Sequence, residues 1–223
     1  MCGRFTLEKS LGDLGSLFQV GNLPELWERY NIAPTQPIAV IREVGGQERR
    51  ELALMRWGLI PSWSKDPGTG PLLINARAET AAAKPAFRAA LRYRRCLVPA
   101  DGFFEWQRIG SEKRSFHMRR RDGAPFALSG LWESWHSPDG SVLESCALLT
   151  TEANELMRPI HDRMPVILDP PDFDLWLNPD VQDLALIEPL LRPYPAEAMA
   201  AFPVSSLVNN ARNDSLQCVL PLE

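Results

Sequence analysis

Leu7, Leu11, Leu14, Leu17 and Phe18 recur at helical spacing behind Thr6, a residue type suited to an N-cap, and predict a helix near the start of the chain. Pro37 to Arg42 and Glu51 to Trp57 read as two strands, and Val44-Gly45-Gly46-Gln47 between them supplies hairpin turn chemistry. Thr80 to Leu91 is Ala-rich and predicts two helical pieces, with Pro85 suited to a first helical turn. Several short runs then alternate: Cys96 to Pro99, Gly102 to Arg108, Ser115 to Arg119, Pro125 to Gly130 and Val142 to Thr150. Arg121-Asp122-Gly123 and Pro138-Asp139-Gly140 punctuate them, as in a mainly antiparallel sheet. Glu152 to Met157, Asp172 to Leu177 and Asp180 to Leu191 predict short helices, the last two separated by Asn178-Pro179.

No internal repeat, heptad array or low-complexity linker interrupts this order. Strands and helices interleave without a regular βαβ rhythm, which argues against a Rossmann-like sheet. The expected architecture is α+β: a single domain with a curved, barrel-like, mainly antiparallel sheet flanked by helices. Twenty prolines imply many fixed, irregular connections around it.

The 223 residues suffice for one large domain or two small ones, and 45% hydrophobic with 23% charged residues is ordinary for a soluble protein. No apolar run is long enough to span a bilayer, so no membrane partner is expected. No basic segment followed by an apolar core opens the chain, so a cytoplasmic protein is expected. In that compartment Cys2, Cys96, Cys146 and Cys218 read as reduced thiols. The net charge of −4 hides a segregation: residues 42–121 carry a net +9 and residues 122–223 a net −12. Twenty of the 24 basic residues are Arg, whose planar fork matches phosphate, so the central segment is a candidate for backbone binding.

Candidate chemistry lies in five places. Met1-Cys2-Gly3-Arg4-Phe5 would expose an N-terminal cysteine if Met1 were removed. An α-amine with a pKa of about 7.7–8.0 and an adjacent thiol can both attack one aldehyde carbon, closing a thiazolidine that no internal cysteine can form. Alone, this pentapeptide reads more simply as an arbitrary small residue on a frayed terminus. Asn75-Ala76-Arg77-Ala78-Glu79-Thr80 sets an amide, a guanidinium and a carboxylate before a helix, and alone reads as a helix start with solvated charges. Glu105, in Gly102-Phe103-Phe104-Glu105-Trp106, either faces water by strand alternation or is buried among aromatics, where its pKa would rise. His161-Asp162-Arg163-Met164-Pro165 places a histidine in a proline-constrained loop or strand entry, and alone it reads as a surface or satisfied core residue rather than a catalyst. Finally, Asn31-Ile32-Ala33-Pro34-Thr35 and the aromatic segment from Trp57 to Trp63 either pack in the core or stack on bases, at about 1–3 kcal/mol per base. The cysteines and the three histidines are scattered, with no Cys-x-x-Cys or His-x-x-x-His, so no metal is expected. No Walker-A or dinucleotide glycine pattern occurs, and no cofactor is expected.

Taken in order, the clusters acquire a common meaning. Cys2-Gly3-Arg4-Phe5, Asn31-x-Ala33-Pro34, Arg56-Trp57-Gly58-Leu59-x-Pro61, Asn75-Ala76-Arg77-x-Glu79-Thr80 and Arg95-Cys96-Leu97-x-Pro99 follow one another. Then come Gly102-Phe103-x-Glu105-Trp106, Gly130-Leu131-Trp132, Thr150-Thr151-x-Ala153-Asn154 and His161-x-Arg163-Met164-Pro165. This set resembles the SOS-response-associated peptidase (SRAP) family, whose members shield abasic sites in DNA. The resemblance runs from Cys2 to about Asn213. Asn209-x-x-Arg212-Asn213-Asp214 keeps the pattern, but Ser215-Leu216 replaces the small-residue and proline pair the family leads one to expect, a departure confined to the C-terminal turn.

The resemblance implies one SRAP domain over residues 2–223, with Met1 removed by the chain itself or by an aminopeptidase. It implies that Cys2 forms a covalent thiazolidine with the aldehyde of an abasic site in single-stranded DNA, the expected partner of a monomeric protein that joins the nucleoid during repair. It also implies that Glu105 shuttles protons, that Asn75 positions the N-terminal residue and sugar, and that His161 assists imine formation or reversal. Arg4 and Arg77 would hold flanking phosphates, and Thr150 and Arg163 would lie close to the DNA. Two other readings stay open: an N-terminal-nucleophile amidase or peptidase whose Cys2 thiolate attacks an amide, and a non-covalent single-strand-binding module.

Overall fold

The computed structural model describes residues 2–9, 11–21, 27–43 and 50–222. In chain order it contains β1 (Phe5–Leu7), α1 (Leu11–Phe18), β2 (Arg29–Ile32), β3 (Pro37–Glu43), β4 (Arg50–Trp57), β5 (Asn75–Arg77), α2 (Ala78–Ala81) and α3 (Arg88–Tyr93). There follow β6 (Arg95–Ala100), β7 (Gly102–Ile109), β8 (Glu112–Arg120), β9 (Phe126–His136), β10 (Val142–Glu152), β11 (Arg163–Pro165) and β12 (Ile167–Leu168). The chain ends with α4 (Phe173–Leu177), α5 (Leu184–Ile187) and β13 (Met199–Pro203), with short 3-10 turns around them.

Two sheets carry the fold. In one, the strands run β13-β8-β7-β1-β2. In the other, β10, β4, β3, β6 and β9 follow one another, and β9 pairs back onto β10, closing a five-stranded barrel. The α+β, barrel-like architecture expected from the strand pattern is therefore present. Most pairings are antiparallel, but β10 runs parallel to both β4 and β5. β10 is long enough to serve twice: residues up to Leu148 pair with β9, and Thr150 to Glu152 pair with β11. All six residues of β6 are buried, which requires cover on both faces. Trp176 of α4 supplies part of it, donating its indole N–H to the Cys96 carbonyl at 2.8 Å. Cys96 and Cys146 are fully buried thiols, and burial pushes both well up from the ordinary thiol range, as suits packing rather than reactivity. Gly130 of β9 fits this interior for a steric reason: a Cβ there would sit 2.9 Å from the Cys96 Sγ and 3.3 Å from the Ala147 carbonyl oxygen.

Several local expectations are corrected. Thr6 does not cap a helix; it is a buried strand residue of β1 whose hydroxyl donates to Asp101 at 2.6 Å, and α1 begins later, at Leu11. Pro85 lies in the turn between α2 and α3 rather than in a helix. No helix spans Glu152 to Met157. β10 continues through Glu152, and Asn154 then takes over local backbone groups, accepting from Met157 N–H at 2.9 Å and donating to the Tyr194 carbonyl at 2.7 Å. The helix expected over Asp180 to Leu191 shrinks to α5, capped by Asp183, before a 3-10 turn entered through Pro189. The hairpin turn at Val44 to Gln47 lies outside the described residues.

The charge segregation along the chain becomes pairing in space. Arg42 meets Glu144 at 2.5 Å, Arg94 meets Glu133 at 2.7 Å, and Arg50 meets Asp174. Arg95 is 3% exposed and donates to the carbonyls of Leu91, Arg92, Trp176 and Asn178. These four arginines of the basic segment are thus structural. Among the described residues no helix is long and apolar enough to cross a membrane.

Candidate active site

Cys2 lies just before β1, and β1 is held between β2 and β7 through Phe5, which pairs with Ile32 on one side and Phe103 on the other. Trp57, fully buried, meets Phe5 edge-on with ring centroids 5.3 Å apart and donates its N–H to the Ile74 carbonyl at 3.0 Å. That indole belongs to the core. By contrast Trp63 is 69% exposed, which separates the core end of the Trp57–Trp63 segment from its surface end.

The N-terminal strand sets Cys2 against residues of β5 and β7, and His161 stands beside the second of these. Asn75 of β5 donates its Nδ2–H to the Cys2 carbonyl at 2.9 Å, while its Oδ1 is buried with no hydrogen-bond partner among the described residues. Parallel pairing with β10, Leu148 opposite Asn75 and Thr150 opposite Arg77, carries β5 to this position. Glu105 of β7 is 2% exposed, so the choice left open by its sequence is resolved in favour of burial. Both faces of β7 are covered there, because Phe103 and Phe104 are also fully buried. Burial pushes the Glu105 carboxyl up, and His161 opposes the rise. The Cys2 thiol is likewise pushed far up, first by complete burial and then by the charge of Glu105.

His161 enters from the turn after β10. Gln107 shares a strand face with Glu105, and its side chain donates to the Pro159 carbonyl at 2.9 Å, fastening that turn to β7. The His161 Nδ1 lies 2.9 Å from both the Arg163 N–H and an Asp162 carboxylate oxygen. One nitrogen cannot accept from the first and donate to the second at once. As neutral imidazole it accepts from Arg163, leaving the proton on Nε2; as imidazolium it donates to Asp162.

The remaining expected residues divide by accessibility. Arg77 is exposed at the end of β5, and no ion pair among the described residues engages it. Arg163 makes a two-pronged contact with Glu79, at 2.7 and 2.9 Å, and donates to the Thr150 carbonyl at 2.6 Å. Thr150 is fully buried and offers no surface to a ligand; it holds Arg163 instead. Arg4 is half-buried, with Nη1 on the Asn31 Oδ1 at 2.9 Å and on the Val208 carbonyl at 2.7 Å, so much of its donor capacity is already used. Reasoning from residues alone missed Gln107 and the pairing of Glu79 with Arg163. The only signal was their spacing, two residues beyond Glu105 and two beyond Arg77. Among the described residues no group of three or more His, Cys, Asp or Glu side chains could hold a metal ion.

Residues 1–211 match the family model described as SOS response associated peptidase (SRAP). The chain belongs to the SRAP family. It is 44% identical over 223 residues to the abasic site processing protein YoqW of Bacillus subtilis (strain 168), covering 98% of this chain and 99% of that protein. With the abasic site processing protein YedK of Escherichia coli (strain K12) it shares 30% identity over 229 positions, covering 100% of both. A crystal structure of a protein from Bacteroides thetaiotaomicron superposes with a TM-score of 0.89 at 26% identity, again over 100% of both chains. The SRAP fold therefore accounts for the barrel and for the second sheet that brings β1 to it.

Proposed function

We propose that this chain is an abasic-site processing protein whose Cys2, freed of Met1, joins the aldehyde of an abasic deoxyribose in single-stranded DNA. One observation carries the reading: Asn75 and Glu105, which come from separate strands, meet at Cys2, and His161 from a third segment faces Glu105. The names of the relatives supply the substrate. In the first step the Cys2 α-amine adds to the aldehyde carbon and water leaves, giving an imine. In the second, the thiol sulfur adds to the imine carbon and its proton passes to the nitrogen, closing the thiazolidine. The sum is one water lost. Because amine and thiol share one residue, closure is intramolecular, and effective molarities of roughly 10⁵–10⁸ M favour it over imine hydrolysis.

Each neighbour has work to do in this scheme. Burial raises the Glu105 carboxyl above the ordinary carboxylate range and so brings its proton exchange closer to neutral pH, which suits it to the dehydration and ring-closing steps. Asn75 holds the Cys2 carbonyl and turns a free acceptor toward the sugar hydroxyls. His161, with two protonation-dependent partners, serves the imine step or its reversal. Arg77 takes a flanking phosphate, Arg163 lies beside the strand, and the remaining donors of Arg4 face the next phosphate. All four reacting or assisting groups come from one chain, so a monomer suffices. The burial that raises the thiol disfavours a resting thiolate, which weighs against an amide-cleaving nucleophile.

The test is incubation with an oligonucleotide carrying one abasic site, as a single strand and as a continuous duplex. A denaturant-stable adduct that forms faster on the single strand is expected, because duplex access needs unstacking at a few kcal/mol. Equal rates on both would remove the strand preference. Denaturant-labile binding alone would leave a non-covalent module.

A further inference from the structure

The C-terminal segment Val208 to Asp214, set apart in the sequence by its Asn-rich motif, is wired to both halves of the reaction centre. Asn31 of β2 is fully buried and spends its whole amide on this connection. Its Oδ1 accepts from Arg4, and its Nδ2 donates to the carbonyls of Val208, Asn210 and Asn213 at 3.2, 3.1 and 2.7 Å. Asp214 closes the loop on β2, with Oδ1 accepting from the backbone N–H groups of Tyr30 and Asn31 at 2.6 and 3.0 Å and Oδ2 pairing with Arg29. On the opposite side, the Asn209 Oδ1 accepts from the Trp106 indole at 2.6 Å and from the Ser115 hydroxyl at 3.2 Å.

Arg4 is two residues from Cys2, and Trp106 adjoins Glu105. The Arg4 carbonyl itself joins the two strands, accepting from Phe104 N–H at 2.9 Å and from the Cys2 thiol at 3.7 Å. We infer that Asn31, Asn209 and Asp214 are positioning residues that set the alignment of Cys2 with Glu105 through this loop. The inference rests on the proposed cross-linking reaction but assigns these three residues no contact with DNA. A buried amide with every donor and acceptor engaged holds one geometry, because each alternative leaves an unsatisfied buried group. Reaction rates are steep in that geometry: a displacement of about 1 Å far from the chemistry can cost about 10²-fold.

Single-turnover cross-linking to an abasic single strand, with rate constant and half-saturation separated, tests the inference on Asn209→Ala, Asn31→Ala and Asp214→Asn. Binding to the same strand carrying an aldehyde-free abasic analogue is measured alongside. Asn209→Ala should lower the saturating rate about 10- to 100-fold while leaving affinity for the analogue within about twofold. Asn209→Asp keeps the acceptor oxygen and should restore most of the rate. If Asn31→Ala fails to fold, Asn209→Ala and its Asp rescue still decide, since Asn209 is exposed. An unchanged rate in folded Asn209→Ala, or a parallel loss of affinity and rate, overturns the inference. Absence of any adduct from the unmodified protein would instead defeat the cross-linking reading itself.

Discussion

Replacing Glu105 with Gln should lower the cross-linking rate and raise the stability of the protein, and both effects follow from one buried carboxyl. Glu105 is 2% exposed, and burial raises its pKa above the ordinary carboxylate range. The folded protein therefore holds this proton more tightly than the unfolded chain does. For an acid shifted upward, stability is greatest below the unfolded pKa of about 4.3 and is lost as pH rises through the folded value. At neutral pH the wild type carries that loss, and the neutral amide of Gln does not. Each pH unit of elevation corresponds to about 1.4 kcal/mol, and each kcal/mol to about 2–4 °C in Tm for a domain of 150–250 residues. Glu105→Gln should melt higher than wild type at pH 7, and the two should converge below about pH 4. Cross-linking at pH 7 should slow by about 10²–10⁴-fold, the usual contribution of a general acid–base group. The acidic limb of the pH–rate profile, where wild-type Glu105 becomes protonated, should vanish in the variant. Thermal melts from pH 4 to 8 and cross-linking rates over the same range provide the readout. A variant that reacts at the wild-type rate, or that melts lower at pH 7 than at pH 4 relative to wild type, refutes the reasoning.

Three further outcomes are expected. Cys2→Ala should fold and bind, but its remaining α-amine can form only a hydrolysable imine, so an adduct should appear on denaturing gels only after borohydride trapping. Arg77→Ala should weaken binding to single strands irrespective of base sequence and reduce the log–log salt slope by about 0.7, one phosphate's share, in a fluorescence titration over salt. Gly130→Ala must crowd the Cys96 Sγ and the Ala147 carbonyl inside the barrel, and should lower stability by about 1–3 kcal/mol in denaturant melts.

The strand pattern was legible where one face of a strand is apolar and turn residues bound it. β3, β4, β7 and β8 all begin and end within a few residues of their predicted positions. Legibility failed where a side chain replaced the expected backbone partner. Thr6 carries a helix-capping residue type, yet Asp101, 95 positions away, accepts its hydroxyl. Asn154 diverted a predicted helix by the same competition. Parallel pairing of β10 with β4 and β5 was invisible, because apolar alternation says nothing about strand direction. In the candidate site, ordered motifs pointed to Cys2, Asn75, Glu105 and His161, whereas the burial of Cys2 and Glu105 beside the half-buried Asn75 and His161 needed the folded chain. The brace from Asn31 to Val208–Asp214 left only a run of asparagines in the sequence, which does not announce its partners 177 to 182 residues away.

The intact mass of the product formed with a single-stranded oligonucleotide bearing one abasic site bears most directly on the thiazolidine. The protein component should begin at Cys2, and the adduct should weigh the sum of that chain and the DNA less one water, without any reductant. An adduct that retains Met1, or one seen only after borohydride, contradicts the mechanism.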